Sequence, residues 1–304
     1  MKQIVVVSGK GGTGKTSFTA AFAELAGRSV VLVDADVDAA NLALLLDGSD
    51  EPPREYQAGR LARIDPVRCT GCGLCVDACR FDALHLAEPH RVVLQDLACE
   101  GCGVCAVVCP EDAVSFVPQR AGQWTVRDTA FGPLVHAELV PGAGNSGKLV
   151  ALLRETSRGL AERLAASWLL IDGPPGIGCP VHAAVTGTDL LVAVTEPTPS
   201  ALHDLERLLE LAARFRLPAA VVLNKADLDP AGTDLVEAAV AARGVELLGR
   251  VPFDPEVPRR LAAGTGLLTV PGVRDAVVAC WAAVARRAGR ANASAAEEGR
   301  DAAV

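Results

Sequence analysis

The chain has 304 residues and a net charge of −8, and half of its residues are apolar. This length supports a substantial core, while the acidic balance disfavours general nucleic-acid binding, which depends on basic surface. No run of about 18 uncharged apolar residues occurs, so we predict no membrane span. The N-terminus lacks a signal-peptide pattern, which predicts a cytoplasmic protein. Ten cysteines in such a chain indicate metal binding rather than disulfides.

The chain begins with the pattern strand, glycine-rich loop, helix. An apolar strand over Ile4–Val7 leads into a complete G-x-x-x-x-G-K-T motif, and a helical segment over Ser17–Ala26 follows. In this context backbone N–H groups point at phosphate oxygens, the lysine reaches the β- and γ-phosphates, and the threonine ligates Mg²⁺. An ordinary glycine turn is the weaker interpretation. We therefore predict a nucleotide site formed by Gly9, Lys10, Gly11, Gly12, Thr13, Gly14, Lys15 and Thr16.

After this loop, the alternation of strand and helix is interrupted. A strand over 29–33 leads to the acidic segment Asp34–Asp38 and a Leu-rich helix, and the composition over 47–57 is typical of a linker. A compact, cysteine-rich insert follows. Residues 118–148 fit no clear pattern, although the four residues beginning at Gln123 suit a strand.

From residue 149 onward, continuous apolar strands alternate with helices. Such strands are typical of a parallel sheet covered by helices on both faces. The strands are predicted at 168–171, 190–194, 219–223 and 246–251, and the main helices at 149–166, 200–215 and 273–289. Ligands of these folds gather at the carboxyl ends of the strands. The residues at those ends are Gly9, Asp34, Asp172, Thr195 and Asn224.

These patterns predict an α/β fold with a doubly wound, mostly parallel sheet and a small α+β insert. The sheet domain is discontinuous and consists of residues 1–58 and 118–290. The insert covers residues 59–117. Residues 291–304 are small and polar, which predicts a disordered tail.

Eight of the cysteines form two runs with the spacing C-x₂-C-x₂-C-x₃-C. Bacterial ferredoxins have this spacing, and the fourth cysteine of each run serves the cluster of the other run. The insert is therefore predicted to be a ferredoxin-like domain with two 4Fe–4S clusters. One cluster is assigned to Cys69, Cys72, Cys75 and Cys109. The second is assigned to Cys99, Cys102, Cys105 and Cys79.

Two other interpretations of the insert stay open. Zinc also binds C-x-x-C pairs, although two complete four-cysteine runs are more specific than a zinc site. The clusters can also have a purely structural role, in which they stabilise a segment whose hydrophobic core is small. Two clusters in one insert favour redox work, and the acidic residues around them suit a basic redox partner.

The motifs together resemble the deviant-Walker ATPases, a family that includes MinD, ParA, the Mrp proteins and the nitrogenase iron protein. The resemblance covers about residues 1–290 and is strongest to members with an inserted ferredoxin domain. It implies a P-loop NTPase fold like that of the nitrogenase iron protein, with ATP and Mg²⁺ as ligands. It also implies a homodimer, or a heterodimer with a paralogue, that forms on ATP binding. The matching segments are K-G-G-T-G-K-T at 10–16, D-A-D at 34–36, D-G-P-P-G at 172–176 and V-V-L-N-K-A-D at 221–227.

The resemblance implies roles for the charged residues. Lys10 reaches the nucleotide of the partner in the dimer, Asp36 positions the attacking water, and Asp172 lies in the Mg²⁺ shell. These roles suit phosphoryl transfer to water, which needs charge neutralisation, by Lys15 above all, and an oriented nucleophile. Asp36 can instead be an outer ligand of Mg²⁺.

The base of the nucleotide is expected to contact residues in the C-terminal half of the chain. By resemblance, Asn224 belongs to the base-recognition segment. The loop over 251–257, with Pro252 and Phe253, wraps the adenine. GTP stays a minor alternative because N-K-x-D also occurs in GTPases, where the aspartate reads guanine.

Two cysteines lie outside the insert. Cys179 lies seven residues after Asp172, the offset at which the nitrogenase iron protein has a ligand of its dimer-bridging cluster. A second such ligand has no counterpart here, so a small buried residue is the default interpretation of Cys179. Cys280, on the closing helix, is predicted to be a core residue.

The predicted function is that of a dimeric ATP-binding and hydrolysing iron–sulfur protein. Nucleotide-driven changes would control electron transfer or iron–sulfur handling with a partner protein. One alternative is a positioning or assembly ATPase like MinD or ParA, with a structural or redox-sensing insert, and another is an Mrp-like iron–sulfur carrier. MinD ends in a basic amphipathic membrane helix, whereas this sequence ends in small and acidic residues, so we predict no stable membrane anchor.

Overall fold

The computed structural model describes residues 1–87, 90–142 and 146–301, with side chains described as far as residue 289. Contacts divide the chain into two compact units. The first unit consists of Met1–Pro53, Trp124–Glu138 and Ser146–Val304, and the second of Arg54–Gln123 and Leu139–Asn145. The second unit is therefore longer at both ends than the predicted insert of 59–117, and it takes in a separate short segment.

The elements follow one another with short connections. In chain order they are β1 (Lys2–Ser8), α1 (Lys15–Ala26), β2 (Val30–Asp34), β3 (Gly48–Asp50), β4 (Arg54–Ile64), α2 (Leu74–Asp77), β5 (Leu84–Ala87), β6 (Arg91–Leu94), α3 (Val104–Val107), β7 (Val114–Thr129), β8 (Pro133–Leu139), α4 (Ser146–Arg163), β9 (Trp168–Pro175), α5 (Cys179–Val185), β10 (Leu190–Thr195), α6 (Pro199–Arg214), β11 (Ala219–Asn224), α7 (Pro230–Ala242), β12 (Glu246–Val251), α8 (Glu256–Ala262) and α9 (Pro271–Asp301). Among the described residues, none of these helices is long and apolar enough to cross a membrane.

The sheet of the first unit confirms the predicted α/β fold. Its strands run in the order β12-β11-β10-β1-β9-β2-β8-β7-β3. Neighbours from β12 to β8 pair in parallel, and β3 pairs antiparallel with β7. The strands β2 and β10 are buried along their whole length, because helices cover both faces of a parallel sheet. This order brings the carboxyl ends of β1, β9 and β2 side by side.

Aromatic side chains join two helices to the sheet of the first unit. Phe18 and Phe22 of α1 are fully buried. The Phe22 ring lies 5.4 Å from the Trp281 ring of α9, and Trp281 lies 5.3 Å from Trp168 of β9. Aromatic pairs at such distances add about 0.5–1.5 kcal/mol each to the burial of their area. The helix that follows the phosphate loop is therefore held firmly against the sheet.

The second unit has its own small core. In it β4 pairs with β7, and β5 pairs antiparallel with β6. Its buried residues are Cys75, Leu84 and Val92, with partly buried cysteines and aliphatic residues around them. This core is small for an independently stable unit, which typically needs additional links such as a bound metal.

Three segments differ from the sequence prediction or include residues that the structure does not describe. The predicted Leu-rich helix after Asp38 is only a 3-10 turn at Leu42–Leu44, because the chain turns at Gly48 to pair β3 with β7. The unassigned residues 118–148 form most of β7, all of β8 and the start of α4, apart from 143–145, which lie outside the described residues. Helix α9 extends to Asp301. The predicted disordered tail covers residues 291–304. The side chains of these residues, and the backbone of 302–304, lie outside the described part of the chain.

We predict that Asp50→Asn destabilises the first unit at neutral pH more than in acid. Asp50 on β3 accepts a bidentate pair of hydrogen bonds from Arg127 at 2.9 and 2.7 Å, and it contacts His136 at 3.1 Å. The Arg127 hydrogen bonds hold the pKa of Asp50 well below its usual range. A lowered pKa stabilises the fold above the unfolded value of about 4, and this stabilisation is lost as the pH falls toward the folded value. We expect a fall in Tm of about 2 °C at pH 7, modest because Asp50 is partly exposed.

The measurement is thermal unfolding at pH 7 and at about pH 2.5, between the folded and unfolded pKa values of Asp50, followed by circular dichroism. Asp128→Asn is a charge-matched control, since Asp128 is exposed on β7. An Asp50→Asn destabilisation that is equal at both pH values, or larger in acid, would contradict this account of the ion pair.

Candidate functional site

The glycine-rich loop connects β1 to α1 at the carboxyl edge of the sheet. Gly12 and Gly14 have φ values of 82° and 99°, in the left-handed region. A Cβ atom at Gly14 would also lie 2.9 Å from Nδ2 of Asn224, so this position requires glycine for both backbone and space. The first N–H groups of α1, which have no helical acceptors, follow directly at Lys15. The loop therefore has the form that binds phosphate.

Lys15 and Asp36 form a buried ion pair. Nζ of Lys15 lies 2.6 Å from Oδ2 of Asp36, and the two side chains are 8% and 7% exposed. Burial works to lower the pKa of Lys15, but the negative charges of Asp172 and Asp36 outweigh it and raise the pKa above its usual value. Lys15 therefore keeps its charge, and an entering phosphate competes with Asp36 for it.

Asp172 presents an oxygen without a partner. It lies on β9 and is completely buried. Its Oδ1 accepts a hydrogen bond from Oγ1 of Thr19 at 3.1 Å, whereas Oδ2 has no hydrogen-bond partner among the described residues. Burial raises the pKa of Asp172 to about 6. A buried carboxylate oxygen of this kind, with the Thr16 hydroxyl nearby, fits the oxygen donor set that Mg²⁺ prefers.

Asp34 organises the chain after β2. Its carboxylate accepts hydrogen bonds from the backbone N–H groups of Asp36, Asn41 and Leu42, at 3.1, 3.0 and 2.9 Å. Burial, and then the charge of Asp172, raises the pKa of Asp34 to about 7. These hydrogen bonds fold the segment back so that Asp36 meets Lys15. The sequence placed Asp34 in the D-A-D segment that matches the family but did not indicate this bracing role.

Lys10 is bound within its own chain. Its Nζ lies 2.5 Å from Oε1 of Glu196 and also donates hydrogen bonds to the hydroxyls of Thr198 and Ser200. The other oxygen of Glu196 pairs with Lys225 at 3.0 Å. The resemblance assigns Lys10 to a partner's nucleotide, and that role stays a prediction. Glu196 and Lys225 were missed from the sequence, because their positions beside the loop depend on the pairing of β10 with β1 and β11.

A cavity of about 660 Å³ lies beside the phosphate loop, a volume typical of small-molecule sites. Asn224 also donates a hydrogen bond to the carbonyl of Thr13 at 2.8 Å, so it braces the loop. Asp227 of the N-K-x-D segment accepts the N–H of Phe253 at 2.6 Å and thereby holds the loop expected to cover the base. Among the predicted site residues, the cavity is lined by Gly11, Gly12, Gly14, Lys15, Thr16, Asp36, Asn224, Pro252 and Phe253, whereas Gly9, Lys10, Thr13 and Asp172 do not line it.

The two remaining cysteines have opposite environments. Cys280 is fully buried, as predicted for a core residue, and burial raises the pKa of its thiol to about 11. Cys179 is exposed at the start of α5, which corrects the default expectation of a small buried residue. It is exposed because it begins the helix after β9, where only Val181, Ala184 and Val185 of that helix are buried.

In the second unit, the eight clustered cysteines line two small cavities. Burial raises the pKa of the thiols of Cys75 and Cys105, which disfavours free thiolates there. A bound cationic group would offset this penalty. One cavity is lined by Cys69, Cys72, Cys75 and Cys109, and the other by Cys79, Cys99, Cys102 and Cys105.

These sets match the predicted ligand sets, including the exchange of the fourth cysteine between the two runs. Backbone N–H groups also reach the sulfurs, from Ala83 to Cys79 at 3.4 Å and from Ala113 to Cys109 at 3.3 Å. Such hydrogen bonds are a feature of iron–sulfur sites. Within residues 1–87, 90–142 and 146–289, no group of three or more His, Cys, Asp or Glu side chains is arranged to hold a single metal ion.

The fold and the loop geometry define a P-loop protein of the nucleotide-binding class. A protein-family model described as "CobQ/CobB/MinD/ParA nucleotide binding domain" matches residues 4–268 of this chain. The chain therefore belongs to the CobQ/CobB/MinD/ParA family of P-loop ATPases, which confirms the family part of the sequence resemblance.

Curated relatives and solved structures agree with this assignment. An uncharacterized protein of Methanocaldococcus jannaschii is 32% identical over 262 residues, which are 86% of this chain and 87% of that protein. The septum site-determining protein MinD of Synechocystis is 28% identical over 287 residues, 89% of this chain and 85% of that protein. The structure of MinD from Pyrococcus horikoshii, complexed with Mg-ADP, has a TM-score of 0.58 at 20% identity and covers 95% of this chain and 98% of that chain. The clusters and the partner protein stay predictions after these comparisons.

Proposed function

We propose that this chain is a dimeric ATPase that carries two 4Fe–4S clusters and couples its nucleotide state to electron transfer or iron–sulfur handling with a partner protein. The observation that carries the proposal is the grouping of the eight cysteines. They line two cavities in the two ligand sets expected for clusters, in the same chain as a phosphate loop with a buried lysine.

The nucleotide part of the proposal follows from the charges around the loop. The γ-phosphate of ATP would replace Asp36 as the ion-pair partner of Lys15. The Asp36 carboxylate would then be free to orient a water molecule for attack on the γ-phosphorus. Thr16 and the unpartnered oxygen of Asp172 would hold the Mg²⁺ that neutralises phosphate charge. The bond from the γ-phosphorus to the bridging oxygen then breaks, leaving ADP and phosphate.

The dimer part of the proposal depends on Lys10. Glu196 holds Lys10 against its own chain. Movement of Lys10 to a partner's phosphate would exchange this partly exposed ion pair for a contact with a more highly charged group. ATP would then favour the dimer because it provides that group.

The iron–sulfur part of the proposal depends on the second unit. Its cysteine turns would hold the clusters, which supply one-electron redox chemistry when bound. Backbone N–H groups at Ala83 and Ala113 would stabilise the ligand sulfurs. The small core of the unit would gain stability from the clusters as well.

The experiment is a reduction-potential measurement on anaerobically purified protein in three states: without nucleotide, with Mg-ADP and with Mg-ATP. We expect about eight irons per chain, two 4Fe–4S spectra, and at least one potential that differs between the ADP and ATP states. Protein without iron would overturn the cluster assignment. Full iron content with identical potentials in all three states would overturn the coupling and leave a MinD-like positioning ATPase with a structural insert.

A further inference from the structure

The two halves of the cysteine-rich unit repeat with an offset of thirty positions. Each cysteine of the first run has its counterpart in the second, from Cys69 and Cys99 onward. The short helices α2 and α3 begin at equivalent places, after Gly73 and Gly103 with φ of 82° and 91°. The φ values of the equivalent residues Asp82 and Asp112 are both 49°. The two predicted cluster sites are therefore built to the same plan.

The repeat extends to the backbone that packs on each turn. A Cβ atom at Gly71 would lie 2.2 Å from the carbonyl oxygen of His90, and a Cβ atom at Gly101 would lie 2.2 Å from the carbonyl oxygen of Arg60. His90 and Arg60 are themselves thirty positions apart. Each half of the unit therefore supplies one residue that lies against the turn of the other run.

At this equivalent position the two halves differ in charge. Nε of Arg60 donates a hydrogen bond to the carbonyl of Gly101 at 2.9 Å, and Nη2 lies 3.0 Å from where a Cβ atom of Gly103 would be. The guanidinium carbon also lies 4.3 Å from the ring centroid of Phe116, which lines the cavity of the second cysteine set. The counterpart contact at Gly73 is made by the apolar Leu86. A permanent positive charge therefore covers the turn that carries Cys102.

The charged residues that line the two cavities are matched in number and sign. Each cavity is lined by one carboxylate, Glu100 in one and Glu111 in the other. Arg63 and Arg68 have side chains that are more than half exposed, and they pair with Asp96 and Asp112. Solvent screens such pairs strongly. Arg60 is exposed as well, but its hydrogen bond to the carbonyl of Gly101 holds its guanidinium on the turn of the second run.

We propose that Arg60 raises the reduction potential of the cluster bound by Cys79, Cys99, Cys102 and Cys105, so that this cluster is reduced before the other. The inference rests on the proposed function. Adding an electron makes a cluster more negative, and a nearby positive charge favours that change. Arg60 is a positioning and tuning residue, since it acts through the turn and the local field rather than as a ligand.

The test is an anaerobic redox titration with dithionite as the electron donor, monitored by electron paramagnetic resonance. In wild-type protein we expect two separate reduction steps. In Arg60→Gln, the step at higher potential should shift downward and the other should stay in place. The hyperfine-shifted proton signals of the cysteine ligands in nuclear magnetic resonance identify which cluster is reduced at each step.

Two further variants separate charge from structure. Arg60→Lys keeps the positive charge and should retain most of the separation between the steps. His90→Gln changes the equivalent position of the other half and should leave the higher-potential step unchanged. Eight irons per chain with unshifted potentials in Arg60→Gln, or an equal shift of both steps, would overturn the role of Arg60 while the cluster assignment stands. Wild-type protein without clusters would instead overturn the proposed function.

Discussion

Lys15→Ala is expected to weaken nucleotide binding strongly while leaving the absorbance of the proposed iron–sulfur clusters in place. The variant removes the charge that a β- or γ-phosphate would bind, and it leaves Asp36 buried without its partner at 2.6 Å. A charge-assisted hydrogen bond contributes about 1.5–3 kcal/mol, and the uncovered carboxylate would repel phosphate in addition. We therefore expect affinity for Mg-ATP to fall about 100-fold or more. Titration with a fluorescent ATP analogue measures this loss.

Two variants serve as controls for Lys15→Ala. Lys148→Ala removes the same side chain from an exposed position on α4 and should bind nucleotide like the wild type. Lys15→Arg keeps Asp36 paired, so it separates the loss of the phosphate contact from the destabilisation that a broken buried ion pair causes. If Lys15→Ala bound Mg-ATP with wild-type affinity, the phosphate loop would not be the nucleotide site.

Gly101→Ala is expected to remove the iron of the proposed clusters from the second unit without changing nucleotide binding. Gly101 has a φ of 61°, and an added Cβ atom would meet the backbone oxygen of Arg60 at 2.2 Å. A left-handed alanine costs about 1–3 kcal/mol, and the clash with backbone adds to that cost. The turn that carries Cys102 must therefore shift. We expect loss of about half of the bound iron or more, measured by iron analysis and visible absorbance.

The matched control for this variant is Gly266→Ala. Gly266 has a φ of −84°, and no atom lies within 4 Å of its added Cβ, so iron content should be unchanged. Gly71→Ala, with the same 2.2 Å contact to His90, should give the same loss in the other half of the unit. A Gly101→Ala protein with full iron content and wild-type thermal stability would contradict the packing of Arg60 on this turn.

Features encoded by residues close together in the chain were predictable from the sequence. The phosphate loop is one such feature, since its glycines and the start of α1 follow from the strand–loop–helix pattern. The parallel strands were predictable because buried strands form continuous apolar runs. The pairing of the cysteines into two sets followed from their spacing, and the structure groups the same eight residues around two cavities.

Prediction was weaker where an element depends on a distant partner. Residues 118–148 gave no pattern, because β7 alternates irregularly and is defined by pairing with β3 and β4. The expected helix after Asp38 is a short turn, because the hydrogen bonds of Asp34 and the start of β3 shape this segment. Exposure of Cys179 likewise depends on which face of α5 packs against the sheet.

By itself the sequence determined the class of the protein, the residues of the phosphate loop and the two cysteine sets. Each of these features consists of residues that lie close together in the chain at regular spacing. Only the tertiary structure decided how charges far apart in the chain meet. The order β10-β1-β9-β2 brings Asp172 beside Thr19, Asp36 to Lys15 and Glu196 to Lys10. The packing of Arg60 on the turn at Gly101 has the same origin. Such contacts depend on strand order and packing, which no local pattern records.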